Sequence, residues 1–161
     1  MQAFPKSVFH PSVSIVIPAY NSEKLISKCL LSLFKNAAQY MGFCEIIVID
    51  DGSSDCTYEI AWATIQECRR KWPNIHGKVV RHTTKLGRTE AVKTGVNKAF
   101  GTLTAIVDPQ TLWKTNVLKE LVEAIEKGGK APNFTAVLYK TNTLREMLNS
   151  NTHINNFKPA S

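Results

Sequence analysis

The chain has 161 residues, of which 43% are hydrophobic and 20% charged, enough apolar material for one domain with a buried core and too balanced a composition for disorder. Lys and Arg number 20 against 13 acids, a formal charge of +7, which favours anionic partners such as phosphates, a lipid surface or nucleic acid. The longest basic run, Arg69-Arg70-Lys71, is too short for a nucleic-acid stripe, and no apolar run nears the ~20 residues of a membrane span.

Residues 1–12 carry two prolines, no periodicity and no apolar core of a secretory kind, so the expectation is an N-terminal arm on a cytoplasmic protein. Val13 to Ile17 is a short apolar run bounded by Pro18, which reads as a strand. Leu25, Ile26, Cys29, Leu30, Leu33, Phe34 and Ala37 then recur with helical spacing, and Asn21 or Ser22 is placed to cap that helix, with Glu23 in its first turn. A second strand, Glu45 to Asp50, runs into the turn Asp51-Gly52-Ser53-Ser54-Asp55. The helix after it shows Ile60, Ala61, Ile65, Cys68 and Trp72 on one face and stops at Trp72-Pro73-Asn74.

Lys78 to His82 reads as a third strand, with the loop Thr83 to Gly87 at its carboxyl end. Ala91, Val92, Gly95, Val96, Ala99 and Phe100 stripe the next helix, which Gly101 closes. Leu103 to Val107 is a fourth strand, ended by Asp108-Pro109-Gln110, and Val117, Leu118, Leu121, Val122 and Ile125 mark a helix that ends at Gly128-Gly129. Phe134 to Tyr139 is readable as one more strand and Leu144 to Asn149 as a short helix, with a polar tail from Asn151. The four cysteines, Cys29, Cys44, Cys56 and Cys68, form no C-x-x-C pair and read as reduced, buried thiols; the four histidines are scattered, which gives a zinc site no support.

Strands alternating with helices imply an α/β three-layer sandwich with a mostly parallel sheet, since right-handed crossovers return each strand in the same sense. Ligands of such sheets bind beyond the carboxyl ends of the strands. There the sequence places Pro18, Ala19, Tyr20 and Asn21 after the first strand, Asp50 and Asp51 after the second, Lys85 and Arg88 after the third, and Asp108 after the fourth. Their chemistry suits a nucleoside diphosphate: a ring to stack on a base, a carboxylate to accept from a base N–H or a ribose hydroxyl, cations for phosphate, and a carboxylate for a divalent metal.

The blocks VSIVIPAYNSEKLISKCLLSL, EIIVIDDGSSDCT, LGRTEAVKTGVNKA and LTAIVDPQT together resemble the nucleotide-binding half of family 2 inverting glycosyltransferases, over about residues 12 to 127. The resemblance implies the glycosyltransferase-A fold of nucleotide-diphospho-sugar transferases, shortened at its C-terminus: an arm (1–12), a nucleotide-sugar-binding α/β domain (13–127) and a remnant strand, helix and tail (128–161). It implies that Pro18, Ala19 and Tyr20 line the base, usually uracil, that Asp50 or Asp51 contacts it, and that Lys85 to Arg88 approaches the donor. Asp108 falls on the first position of the family's D-x-D motif for Mn2+ or Mg2+. Gln110 stands where the motif has its second acid, which weakens that metal site.

Inverting transfer needs a base to deprotonate the acceptor hydroxyl, and no aspartate follows Asp108; Glu120, Glu123, Glu126 and Glu146 sit on predicted helices. Two functions therefore stand: transfer of a sugar from a nucleotide-diphosphate donor, UDP-linked by resemblance, to an acceptor the sequence does not name, or a non-catalytic nucleotide-sugar-binding module. The basic charge leaves room for an anionic membrane surface, a partner subunit or self-association. A receiver-like regulatory domain built on Asp50 and Asp51 is disfavoured, because Pro18-Ala19-Tyr20 and His82-Thr83-Thr84 supply neither its further acid nor a phosphoacceptor. A dinucleotide oxidoreductase is disfavoured because the first turn lacks G-x-G-x-x-G.

Overall fold

In the computed structural model the described residues are 9–128 and 137–150. Strand β1 (Val13–Ala19) lies at the centre of a five-stranded sheet of order β3-β2-β1-β4-β5, with β2 (Cys44–Asp50) and β3 (His76–Arg81) on one side and β4 (Leu103–Ile106) and β5 (Val137–Lys140) on the other. The first four strands pair in parallel and β5 pairs antiparallel with β4. Every residue of β1, β2 and β4 is buried, as a parallel strand covered on both faces requires.

Helices α1 (Ile26–Gln39), α2 (Thr57–Lys71) and α4 (Val117–Glu126) cover one face. There Ile15, Ile17, Ile46 and Val48 meet Leu30, Leu33, Phe34, Ile65 and Leu121 in the main core. Helices α3 (Arg88–Asn97) and α5 (Thr141–Asn149) cover the other, with Val16, Ile47 and Ile49 against Ala91 and Ala99, and Ile106 with Val92, Val96, Leu144 and Leu148. The arrangement is the three-layer sandwich expected. Burying a Val, Leu, Ile or Phe side chain contributes about 1.5–3 kcal/mol, and residues of these kinds form most of both layers, with smaller Ala and Cys between them.

Local differences from the sequence reading have physical reasons. Neither Asn21 nor Ser22 caps α1 with its side chain: Asn21 sits at φ 45° and its Oδ1 accepts from Ser54, while Ser22 Oγ donates to the Tyr20 carbonyl. The Asn21 side chain is spent on the loop after β2 and that of Ser22 within its own loop, so a turn through residues 23–25 precedes α1, and Leu25 is left exposed. Strand β3 begins two residues earlier than predicted because its pairing with β2 starts at His76, and His82 leaves the ladder to reach a side chain described below. Phe100 is exposed rather than inward, since α3 ends at Asn97. Of the cysteines, Cys29, Cys44 and Cys68 are buried but Cys56 is exposed; burial pushes the Cys29 and Cys44 thiols up to about 12, so both stay protonated.

Of the strand predicted at Phe134 to Tyr139, residues 137–139 fall in β5 and 134–136 lie outside the described residues. The same holds for residues 1–8 of the expected arm and for the tail from Asn151. Below the sheet, Glu45 is buried and accepts from Ser14 Oγ and from the Phe100 amide, and Ser14 Oγ in turn accepts from the Gly101 amide. This clasp fixes the chain between α3 and β4 to the amino ends of β1 and β2.

Helix α3 approaches the sheet through Gly95, where an added Cβ would stand 2.3 Å from Val16 Cγ1 and 3.2 Å from Ile49 Cγ1. In a free helix Gly→Ala gains about 1 kcal/mol. Here Gly95→Ala is expected to reverse that sign and cost about 1–3 kcal/mol by overpacking, read as a lowered urea midpoint with an unchanged slope.

Candidate functional site

Parallel register brings the carboxyl ends of β1, β2 and β4 together with the loop after β3. They enclose a cleft of about 350 Å³ lined by Pro18, Ala19, Tyr20, Ser22, Asp51, Lys85, Arg88, Ala91, Asp108, Pro109 and Gln110. Seven of the nine substrate-binding and metal candidates from the sequence line it: Pro18, Ala19, Tyr20, Asp51, Lys85, Arg88 and Asp108. Asn21 and Asp50 do not line it.

Asp50 and Asp51 are adjacent, and alternation along an extended chain sends their side chains to opposite sides. Asp50 is fully buried; its Oδ1 accepts from the Ser53 amide, and its Oδ2 meets Arg81 Nε at 3.2 Å as an ion pair without a directed hydrogen bond. Arg81 also donates to the Ser53 carbonyl. Asp50 thus braces the turn after β2 against the edge strand.

Asp51 faces the cleft and ties the next loop to it. Its Oδ1 accepts from the Leu86 amide at 2.8 Å and its Oδ2 from the Gly87 amide at 2.9 Å, while His82 Nδ1 stands 2.8 Å from Oδ1. A carboxylate only accepts, so Nδ1 carries a proton toward Asp51, while the other ring nitrogen, Nε2, stands 2.9 Å from Thr94 Oγ1. Burial alone would raise the Asp51 pKa, but the His82 bond and the two amides outweigh it and hold the carboxyl below its ordinary value. Gly87 lies at φ 100°, a conformation that side chains rarely adopt, and so lets the loop turn into α3 directly after those bonds.

The loop delivers two cations. Lys85 Nζ lies 3.9 Å from the centroid of the Tyr20 ring, a cation–π contact on an exposed aromatic face. Arg88 Nη2 donates to Asp108 Oδ1 at 2.8 Å, with the arginine side chain 38% and the aspartate 13% exposed. The neighbouring loops are cross-braced: Asp55 accepts from the Thr57 and Glu23 amides, and Glu23 returns a bond from the Cys56 amide. Burial would raise the Asp55 pKa, but the Thr57 hydroxyl, which also donates to it, and the Thr57 and Glu23 amides outweigh burial and hold the carboxyl below its ordinary value.

Asp108 is the one carboxylate at the position expected for Mn2+ or Mg2+, and Arg88 already neutralises it. Gln110 adds only a neutral oxygen, and among the described residues no group of three or more His, Cys, Asp or Glu converges on a possible ion. Mg2+ is usually held by one or two carboxylates together with substrate phosphates and waters; here the one carboxylate at hand is already paired with a guanidinium, so the residues present do not fit a divalent ion. None of Glu120, Glu123, Glu126 and Glu146 lines the cleft. Sequence reasoning missed Ser22 and Ala91 in the lining and His82 behind it; the position of His82, last in the predicted third strand and hence at the same sheet edge as Asp51, was the available signal.

The family model for glycosyl transferase family 2 matches residues 14–160. A dolichol-phosphate mannosyltransferase from Pyrococcus furiosus is 36% identical over 116 residues, which cover 72% of this chain and 30% of the relative. Among solved structures, S. aureus TarS (residues 1–349) in complex with UDP-GlcNAc superposes with a TM-score of 0.63 at 21% identity, covering 84% of this chain and 47% of that one. The mannosyltransferase PcManGT from Pyrobaculum calidifontis, in complex with GDP-Man and Mn2+, gives 0.57 at 22% identity over 76% and 34% of the two chains. The chain therefore shares their fold while spanning about a third of the curated relative and a third to a half of these structures. Among the described residues no helix is long and apolar enough to cross a membrane.

Asp51→Asn keeps the shape of the side chain but turns an NH2 toward amide donors. A carboxyl with a lowered folded pKa contributes stability above its unfolded value of about 3.9, and that contribution fades as the pH falls through the folded value. The variant is therefore expected to lose about 1–3 kcal/mol at pH 7 and to show a shallower fall in stability than the native chain on acidification below about pH 4, as read by urea unfolding at a series of pH values.

Proposed function

The chain belongs to glycosyl transferase family 2, and we propose that its cleft holds the nucleoside diphosphate of a sugar donor for transfer to an acceptor hydroxyl with inversion. One observation carries the reading: an aromatic face, a pinned carboxylate and two cations converge on a single cleft at the carboxyl edge of the sheet. In this reading the base lies against Pro18, Ala19 and Tyr20, with Lys85 moving off the ring as the base takes its face. Asp51 rather than Asp50 is the carboxylate within reach of the base, because Asp50 is turned away toward Arg81. Lys85 and Arg88 meet the diphosphate.

UDP is the donor nucleotide we favour, on the resemblance of the first two sequence blocks and on the UDP-GlcNAc bound by TarS; PcManGT, with GDP-Man, is the comparison for a purine donor. The lipid-linked chemistry in the name of the Pyrococcus relative, together with the charge of +7, supports an acceptor at an anionic membrane surface, with the chain peripheral to it. A partner subunit, or a second copy of this chain, is the other source of an acceptor site.

A second reading, donor binding without transfer by this chain alone, is favoured by the state of its acids. Both carboxylates that line the cleft are engaged, Asp51 by three donors and Asp108 by Arg88, which leaves no free carboxylate to act as base among the described residues of the cleft. The two readings share the pocket and differ in turnover.

UDP is expected to raise the melting temperature in a concentration-dependent way, because it binds the folded state alone. Tyr20→Ala, which removes the stacking face, is expected to weaken UDP by about tenfold or more, in line with 1–3 kcal/mol per stacked base. Release of UDP from a UDP-sugar by the chain with acceptor membranes supports transfer; stabilisation without release supports the binding module; no stabilisation by any nucleoside diphosphate removes both.

A further inference from the structure

We propose that the guanidinium of Arg88, oriented by Asp108, is the counter-cation of the donor diphosphate in this chain, so that donor binding needs no divalent metal. The inference rests on the donor-cleft reading above and concerns how that cleft neutralises phosphate.

The argument starts from what Asp108 does. Its Oδ1 holds Arg88 Nη2 at 2.8 Å, and its side chain is mostly buried while that of the arginine remains 38% exposed. A metal ligand must present its oxygens to the ion; here one oxygen is spent on a cation already in place. The next side chains of the loop, Pro109 and Gln110, bring no charge, and no third ligand converges on the pair among the described residues.

The geometry suits Arg88 to the task. A guanidinium carries five N–H donors in a planar fork, and phosphate oxygens accept from such a fork in pairs. With Nη2 tied to Asp108, the plane is fixed and the remaining donors belong to a group that lines the cleft. Arg88 is also the first residue of α3, so the amino end of that helix adds its partial positive charge to the same place.

Arg88 does not act alone. Asp51 accepts from the amides of Leu86 and Gly87, which lie between Lys85 and Arg88, so one carboxylate sets the spacing of both cations. Lys85 is held over Tyr20 and Arg88 against Asp108. In this arrangement Asp108 and Asp51 are positioning residues, and the positive charge that meets the phosphates comes from side chains.

The test is titration of the whole 161-residue chain with UDP and with GDP, in EDTA and in Mn2+. Equal affinity in the two media, within about twofold, is the expected result. Arg88→Ala should weaken both nucleotides by about tenfold or more in either medium, as loss of a charge-assisted hydrogen bond does; Arg88→Lys, which keeps the charge and loses the fork, should fall between. Asp108→Asn should weaken binding equally in EDTA and Mn2+, and adding it to Arg88→Ala should cost nothing further, because the two act as one unit. Far-UV circular dichroism confirms that each variant is folded. Binding that appears only with Mn2+, or an Asp108→Asn loss confined to the Mn2+ arm, overturns this inference and leaves the donor cleft standing; binding in neither medium overturns both.

Discussion

The cleft depends on the carboxylate of Asp51. It sits at the end of β2, beside the centre of the sheet, and accepts from a histidine and two backbone amides of the loop that follows β3. Loops at a sheet edge are otherwise free to choose among many backbone states, each fixed residue costing roughly 1–2 kcal/mol of conformational entropy. Three bonds to one buried acceptor offset part of that cost over a short segment. The segment then ends in Gly87, whose positive φ is open to few other residues. Everything the cleft can offer an anion is hung on this loop, so sheet register and loop geometry together set its chemistry.

Much of the fold was legible because the strands are buried on both faces. Val13 to Ile17 and Ile46 to Ile49 read as unbroken apolar runs, and the helical stripes between them fall on the buried faces of α1, α2, α3 and α4. The misreadings share a cause: short polar or apolar side chains at element ends were assigned to their own helix. Asn21 and Ser22 have the chemistry of caps, yet the Ser54 amide of the loop after β2 takes the Asn21 side chain, and Ser22 Oγ donates to the Tyr20 carbonyl. Phe100 fits the stripe of α3 by spacing, but the helix has already ended, and the chain there is directed by Glu45 and Ser14, which are distant in sequence.

The site was legible as a location and less so as an arrangement. The rule that ligands bind beyond the carboxyl ends of parallel strands found the edge. It could not choose between Asp50 and Asp51, because in an extended chain neighbours point to opposite sides and only the three-dimensional register says which side is the cleft. Nor does sequence alone reveal that Arg88 reaches Asp108, a contact between the first residue of α3 and the loop after β4. Pair contacts of that kind are written in tertiary geometry, whereas the polar inventory of each loop is written in the chain.

The order of the strands has a consequence for how this molecule is made. β1 leaves the ribosome well before β4, yet β4 is one of its two neighbours, so Val13 must wait for Leu103. Until then a mostly apolar strand has one open edge, a surface that invites pairing with other nascent chains. Non-local closure of this sort also slows folding, since the entropy of a long loop is lost before its contacts form. Synthesis of β4 is thus the step that closes the open edge of β1, with β5 then covering β4, and a pause in translation ahead of Leu103 would lengthen the interval during which the edge of β1 stays exposed.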